Sequence, residues 1–241
     1  MDNFNCYDDS QRAEAYARLE FPGTYYLAYR DIPEIINKYV QGKMAIDFGC
    51  GTGRSTRFLQ KLGFQAVGVD IAEEMIKKAH AVDPDGEYRL INDGDFSRFS
   101  AGIFDLILSM FTFDNIPAGE AKIRLFRGLG DLLGPDGVII SVVSSPQIYL
   151  HEWASFSTRD YPENRFAKSG DIVKIIITGI GDNRPVEDIV WTDESYQDVY
   201  RKSNLEMVGS YKPLADGTEP YQWINETKIN PWVIYVLKKR G

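Results

Sequence analysis

Met44-Ala45-Ile46-Asp47-Phe48-Gly49-Cys50-Gly51-Thr52-Gly53 is the stretch on which the fold turns. An apolar run delivers an acidic residue and then a glycine at every second position. This pattern reads as a buried strand, a tight turn and the start of a helix running from Arg54 to Leu62. Glycine removes a Cβ where the backbone must bend sharply or approach a ligand closely. The turn is therefore suited to seating something flat and polar against bare backbone. The N–H groups at the helix start point to the same place and can donate to a carboxylate or phosphate. Asp47 adds an acceptor for a cationic or amino-bearing ligand.

Working outward, Gly63 to Asp70 is a second apolar strand ending in a carboxylate, 23 positions beyond Asp47 (70 minus 47). An acid there can accept two hydrogen bonds from a ribose diol. The glycines alternate, and the residue three after Gly51 is Arg54 rather than the Gly or Ala of the nicotinamide fingerprint. Pyrophosphate binding is the weaker reading. Ala72 to Ala81 reads as a helix, with Glu73 and Glu74 in its first turn, where the dipole favours acids. Tyr88 to Ile91 is a short third strand leading into Asn92-Asp93-Gly94-Asp95-Phe96. Ile103 to Ser109 is nearly all apolar, the pattern of a strand buried on both faces of a parallel sheet. Ala118 to Leu133 has apolar residues at helical spacing. A Leu132-Leu133-Gly134-Pro135-Asp136-Gly137 turn and a strand from Val138 to Val143 follow.

Asp-Phe-Gly-Cys-Gly-Thr-Gly at 47–53 resembles the first motif of the class I S-adenosylmethionine (SAM)-dependent methyltransferases. The second strand's acid, the Gly94-Asp95-Phe96 stretch and the helix–turn–strand at 118–143 follow in that family's order. The resemblance implies a Rossmann-like class I methyltransferase fold, an α/β architecture. Its mostly parallel seven-stranded sheet has an antiparallel last strand, with an N-terminal helical cover and C-terminal insertions. It implies SAM as cofactor and S-adenosyl-L-homocysteine as product. The cofactor residues would be Asp47, Gly49, Gly51, Gly53, Asp70, Ile71, Asp95, Phe96 and Ser109, with Tyr7 and Tyr25 from the cover. Asp95 would accept from the adenine amine, and Phe96 stands where the family usually has Ala.

In open α/β sheets ligands bind beyond the carboxyl ends of the strands. Met110-Phe111-Thr112-Phe113-Asp114 should therefore border the methyl acceptor. Phe111 and Phe113 are candidates to stack on a planar acceptor or to pack the floor of its site. Asp114 is the first candidate to orient or deprotonate it, and His151, with Glu152, is the runner-up. It does not begin an Asn-Pro-Pro-Tyr or Asp-Pro-Pro-Tyr sequence, which disfavours DNA adenine and protein glutamine substrates. The aromatic loop 144–168 contains Trp153, and Trp223 lies further on; both are candidate acceptor contacts. Asp171–Thr178 and Val186–Trp191 suggest an antiparallel hairpin over the site. A helix from Thr192 or Asp193 to Ser203, a Leu205–Val208 strand and a last strand from Trp232 to Leu237 complete the chain.

The first forty residues hold a helix from Gln11 to Leu19, a Phe21-Pro22-Gly23 break, three tyrosines (Tyr25, Tyr26, Tyr29) and a second helix from Ile32 to Val40. Gly42 is the expected stop of that helix. Within the small-molecule methyltransferases, Phe21-Pro22-Gly23-Thr24-Tyr25-Tyr26-Leu27-Ala28-Tyr29-Arg30 resembles enzymes of the toxoflavin-forming type, which N-methylate azapteridine-like heterocycles.

At 241 residues the chain is expected to be one domain: a cover at 1–42, a SAM-binding core at 43–144, and acceptor-side insertions with the final strands at 145–241. Two cysteines, Cys6 and Cys50, make neither a disulfide framework nor a metal cluster. No metal site is expected. The charge of −8 argues against a broad nucleic-acid surface. No apolar stretch approaches bilayer-spanning length, and Met1-Asp2-Asn3 does not open a signal peptide. The expectation is a cytoplasmic enzyme, monomer or homodimer, methylating N or O of a small, planar or heterocyclic molecule. Methylation of tRNA or protein, a non-catalytic SAM-binding role, and nicotinamide redox chemistry remain the alternatives.

Overall fold

The computed structural model describes residues 22–181 and 183–241. Tyr7, Cys6, Phe21 and the helix read at 11–19 lie outside the described residues.

Two helices come first, α1 (Thr24–Arg30) and α2 (Ile32–Tyr39). The alternation of strand and helix that follows is β1 (Met44–Phe48), α3 (Arg54–Lys61), β2 (Gln65–Asp70), α4 (Glu73–Val82), β3 (Glu87–Leu90), β4 (Phe104–Met110), α5 (Gly119–Leu132) and β5 (Leu133–Ser144). After β5 come β6 (Phe156–Ser157), β7 (Ile172–Ile177), β8 (Val186–Ile189), α6 (Asp193–Lys202), β9 (Leu205–Tyr211) and β10 (Trp232–Lys239). The main sheet has seven strands in the order β3-β2-β1-β4-β5-β10-β9, and β6, β7 and β8 form a second, three-stranded sheet. β3, β2, β1, β4 and β5 are parallel, while β10 runs antiparallel to both its neighbours. This is the Rossmann-like methyltransferase architecture that the sequence implies.

Alternation along the strands divides the core. Ala45, Leu106, Leu108, Val138, Ile140 and Ile234 face α1, α2, α3 and the small sheet. Ile46, Ile107, Ile139, Val143 and Tyr235 face α5 and α6. A central strand clad on both sides must be apolar at every position, as β4 is.

Two sequence expectations need correction. Gly42 does not stop α2: the helix ends at Val40, which is already extended. Gly42 is small because Asp105 sits against it while accepting from the Met44 N–H at 2.9 Å, and a Cβ on Gly42 would lie 2.0 Å from that carboxylate. All of the 132–137 turn but Leu132, which ends α5, is also absorbed into β5. Leu133 pairs with Phe104 and Val138 with Leu106, so the residues between bulge out of a continuing strand. Tyr25 and Tyr29, left without an assigned element by the sequence, lie in α1 and are buried.

The cover is fastened by one buried acid. Glu226 accepts from the Thr24 hydroxyl (2.7 Å) and from the N–H groups of Ala154 (2.7 Å), Ile224 (2.8 Å) and Asn225 (3.1 Å). Trp232 Nε1–H donates to the Thr24 carbonyl at 2.7 Å. α1, the loop before β6 and the loop before β10 are thereby held as one unit.

Candidate functional site

The glycine turn sits at the carboxyl end of β1. Gly49, Gly51 and Gly53 all have positive φ (73°, 53° and 79°), the left-handed region that side chains disfavour. Their surroundings differ. A Cβ on Gly49 would lie 2.2 Å from Thr112 Oγ1, and one on Gly53 would lie 2.6 Å from the Tyr88 ring. At Gly51 nothing lies within 4 Å. Gly49 and Gly53 thus make room for neighbours, and Gly51 offers bare backbone to open space.

Asp47 is fully buried, and its Oδ2 accepts from Ser55 (2.7 Å) and Thr56 (2.6 Å), both in the first turn of α3. Burial pushes its carboxyl up to about 6, against the opposing effect of those hydroxyls. Its Oδ1 is buried with no hydrogen-bond partner among the described residues. An unpartnered buried carboxylate oxygen calls for a donor, and an ammonium group would supply one. Asp70 closes the turn: Oδ2 accepts from the Gly51 N–H (2.8 Å) and Oδ1 from the Ala72 N–H (2.9 Å). An acid at this strand end is placed to accept from a ribose diol. Open backbone, an unpartnered acid and an anchored strand-end carboxylate fit a SAM-sized ligand.

Asp70→Ala is expected to weaken S-adenosylhomocysteine binding by at least about tenfold, since it removes charge-assisted bonds worth about 1.5–3 kcal/mol each. Calorimetric titration of a variant that keeps the wild-type circular dichroism spectrum checks it, and unchanged affinity contradicts the assignment.

A cavity of about 60 Å³ lies past the ends of β4 and β5. Tyr25, Phe111, Phe156 and Trp232 line it, and their rings contact one another at centroid distances of 4.7–5.8 Å. Ile175, Ile177 and Val186 of the small sheet line it as well. Its polar lining includes Asp114, Ser144, Tyr149 and Asp188, with Arg54. The Arg54 guanidinium lies 5.1 Å from the Tyr25 ring centroid and 5.5 Å from that of Tyr29.

A single turn of 3₁₀ helix, Thr112–Asn115, sorts the residues after β4. Phe111 enters it at φ 65°, a strained conformation for a bulky residue. It points its ring into the cavity, whereas Phe113 is fully buried on the other side, stacked on Phe126 at 3.9 Å. Asp114 is buried and accepts from the Ser144 N–H at 2.9 Å and the Tyr196 hydroxyl at 3.5 Å. Burial pushes it up to about 6.

Lys122, which the sequence did not single out, is fully buried behind Asp114. Its ammonium donates to the Phe113 carbonyl and lies 4.9 Å from the Trp191 ring centroid. Burial pulls it down to about 7, opposed by the charges of Asp114 and Asp188. Asp188 accepts from the Tyr149 hydroxyl at 3.0 Å, and burial with the two carboxylates drives the Tyr149 phenol well up. Both residues carried a signal in the sequence. Lys122 shares the apolar stripe of α5 with Phe126 and Leu129, at i, i+4 and i+7. Asp188 alternates with Val186 and Val190 on the buried side of its strand.

The other expected site residues are placed as follows. Tyr25 lines the cavity. Ile71 is 54% exposed at the end of β2. Asp95 is half-buried and accepts from the Ser97 N–H at 3.0 Å; hydrogen bonding from the Ser97 side chain, and then from its backbone, holds its carboxyl below the usual range. Phe96 packs on Phe48 and over Gly128, where a Cβ would come within 2.8 Å of its ring; that glycine accommodates Phe in place of Ala. Ser109 is buried opposite Ser141 on the α5–α6 side of the sheet, away from the cavity. His151 bonds Gln147 at 3.2 Å, and Glu152 accepts from the Ser157 hydroxyl and the Thr158 N–H; neither lines the cavity. Trp153 is buried and donates to the carbonyl of Ile148, which does line it. Trp223 is half-buried against Tyr221, outside the cavity.

Residues 24–169, more than half of the chain, match a family model described as a methyltransferase domain. Ubiquinone biosynthesis O-methyltransferases are similar over part of the chain. That of Xanthomonas axonopodis pv. citri is 30% identical over 100 residues, covering 40% of this chain and 41% of the relative. That of Nitrosococcus oceani is 30% identical over 115 residues, covering 45% and 48%. The chain thus spans less than half the length of these curated relatives. In fold it resembles the CcbJ methyltransferase of Streptomyces caelestis (TM-score 0.66, 16% identity, both chains covered in full). It also resembles a SAM-dependent methyltransferase of Clostridium acetobutylicum (TM-score 0.64, 15% identity, 98% of this chain and 100% of the other). Among the described residues no helix is long and apolar enough to cross a membrane. By the family match, the strand order and the glycine turn together, this chain belongs to the class I SAM-dependent methyltransferases.

Proposed function

We propose that this chain transfers the methyl group of SAM to N or O of a small, planar or partly apolar molecule. The observation that carries this reading is the cavity beyond β4 and β5, lined by rings from α1, the 112–115 turn, β6 and β10. Aromatic and aliphatic side chains with a set of converging polar groups are the lining typical of small-ligand pockets. Bound SAM would supply an electrophilic sulfonium methyl.

The remaining work falls to this chain. Gly51, Asp70 and Asp47 hold the cofactor's polar groups at the end of β1. Tyr25, Phe111, Phe156 and Trp232 exclude water and set the plane of the acceptor, so that much of the acceleration comes from orientation. Asp114, raised toward neutrality by burial, accepts a hydrogen bond or proton from the acceptor. The charge of −8 further disfavours a polyanionic substrate.

Incubation with methyl-labelled SAM and a panel of ring amines, phenols and N-heterocycles, with tRNA and bulk protein in parallel, tests the reading. Label in a small molecule is expected. Label confined to tRNA or protein would contradict it.

A further inference from the structure

Deepening the proposed function, and resting on its placement of the cofactor, we propose that Tyr88, the buried aromatic residue of β3, is a positioning residue for cofactor binding. Its ring fixes the glycine turn by acting on Gly53 rather than on the ligand.

Three glycines surround that ring. Gly68 pairs with Tyr88 between β2 and β3, and a Cβ on it would lie 2.8 Å from Tyr88 Cδ1. A Cβ on Gly86 would lie 2.6 Å from Cε2, and one on Gly53 would lie 2.6 Å from Cε1 and from the hydroxyl oxygen. The ring is thus seated against three stretches of backbone at three of its edges. Neither Gly68 nor Gly86 has a positive φ, so their conformation does not call for glycine. The space taken by Tyr88 and its neighbours does. Gly53 has φ 79° and is the residue at which the turn passes into α3.

The hydroxyl is fastened as well. It donates to Asp83 Oδ2 at 2.8 Å, and the Gly86 N–H donates to the Asp83 carbonyl at 3.1 Å, so the loop between α4 and β3 closes around the ring. Burial, and then the bond to Asp83, push the phenol well up, which keeps it a donor. Arg57, whose charge opposes that rise, donates to the Thr52 carbonyl at 2.8 Å. Cys50, Ile76 and Ala79 complete the packing around Tyr88.

The consequence is preorganisation. Gly49, Gly51 and Gly53 make a turn that glycine alone leaves conformationally free. A ligand that had to order them on binding would lose affinity. Tyr88 supplies from β3 the rigid surface that the glycines lack, at the one turn glycine whose missing Cβ leaves room for a ring.

The test is calorimetric titration of full-chain variants with S-adenosylhomocysteine, each paired with a thermal melt. Tyr88→Leu, which empties the seat, is expected to weaken binding at least tenfold, and Tyr88→Phe, which keeps the ring, by no more than about threefold. Gly86→Ala lies 33 positions from Gly53 (86 minus 53) and displaces the ring from its far edge. It should weaken binding about fivefold, and should add nothing in the Tyr88→Leu background, since both act through one ring. Leu129→Val, a core change in α5, should lower Tm without altering affinity. Wild-type affinity in Tyr88→Leu would overturn the inference, as would equal losses in the Phe and Leu variants or additive losses with Gly86→Ala. If the wild-type chain binds no S-adenosylhomocysteine, the cofactor assignment falls and this inference with it, so the two failures are distinguishable.

Discussion

Lys122→Met should lower stability by about 3–5 kcal/mol near pH 6.5, where Asp114 and Lys122 are both charged, because it strands the Asp114 carboxylate in the core. In a chain of this size that corresponds to a fall in Tm of about 6–20 °C. The side chain is fully buried, and its ammonium is shared between the Phe113 carbonyl, the Trp191 and Tyr196 rings and the charges of Asp114 and Asp188. The pH dependence separates this origin from lost packing. Asp114 is raised from 3.8 to about 6 in the fold, so the folded state binds more protons than the unfolded state between those values. Its ionisation therefore lowers stability as pH rises through that window. Lys122 is lowered from 10.5 to about 7, so the unfolded state binds more protons across that range and stability recovers as pH rises through it. The variant should lose the alkaline recovery, and its deficit should shrink below about pH 6, where Asp114 is neutral. Urea unfolding followed by circular dichroism at pH 5, 6.5 and 10 reads both effects. A deficit that is the same at all three pH values would mean that Lys122 matters only for packing.

The second large effect concerns two glycines of the same turn with opposite expected signatures. Gly51→Ala places a methyl group in open space at φ 53°. The strain costs roughly 1–2 kcal/mol, but the methyl occupies the side from which a ligand would meet the backbone. S-adenosylhomocysteine affinity should fall about 100-fold, roughly 2.7 kcal/mol, with only a small change in Tm. Gly49→Ala drives its Cβ to 2.2 Å from Thr112 Oγ1, displacing a hydroxyl that donates to the Phe48 carbonyl at 2.9 Å. Strain and overpacking together should cost roughly 2–5 kcal/mol. Thermal melts paired with calorimetric titrations separate the two. If Gly51→Ala binds like the wild type, the open side of the turn is not where the cofactor lies.

The fold was legible where periodicity carries the information. Alternating apolar strands ending in Asp47 and Asp70, the apolar run of β4, and the hairpin of β7 and β8 were all readable from local pattern. The start of β5 was not, because a Gly-Pro-Asp-Gly sequence reads as a turn whether it ends a strand or bulges within one. Side-chain destinations were harder. Phe111 and Phe113 are indistinguishable in sequence, and it takes the left-handed Phe111 and the 3₁₀ turn to send one ring to the cavity and the other to the core. Ser109 stands at the expected strand end, yet alternation turns it toward α5 and α6. Lys122 and Asp188 lay on apolar stripes, but a charge on such a stripe is read as solvated until the partner that neutralises it is known. Glu226 belongs to a loop without a period, and its four hydrogen bonds come from three separate segments.

The central claim is tested most directly by calorimetric titration of the purified chain with S-adenosylhomocysteine, with NAD in parallel. Micromolar binding of S-adenosylhomocysteine and none of NAD is the expected result. Binding of NAD alone would contradict the account, because the same strands and glycine turn would then serve a different cofactor.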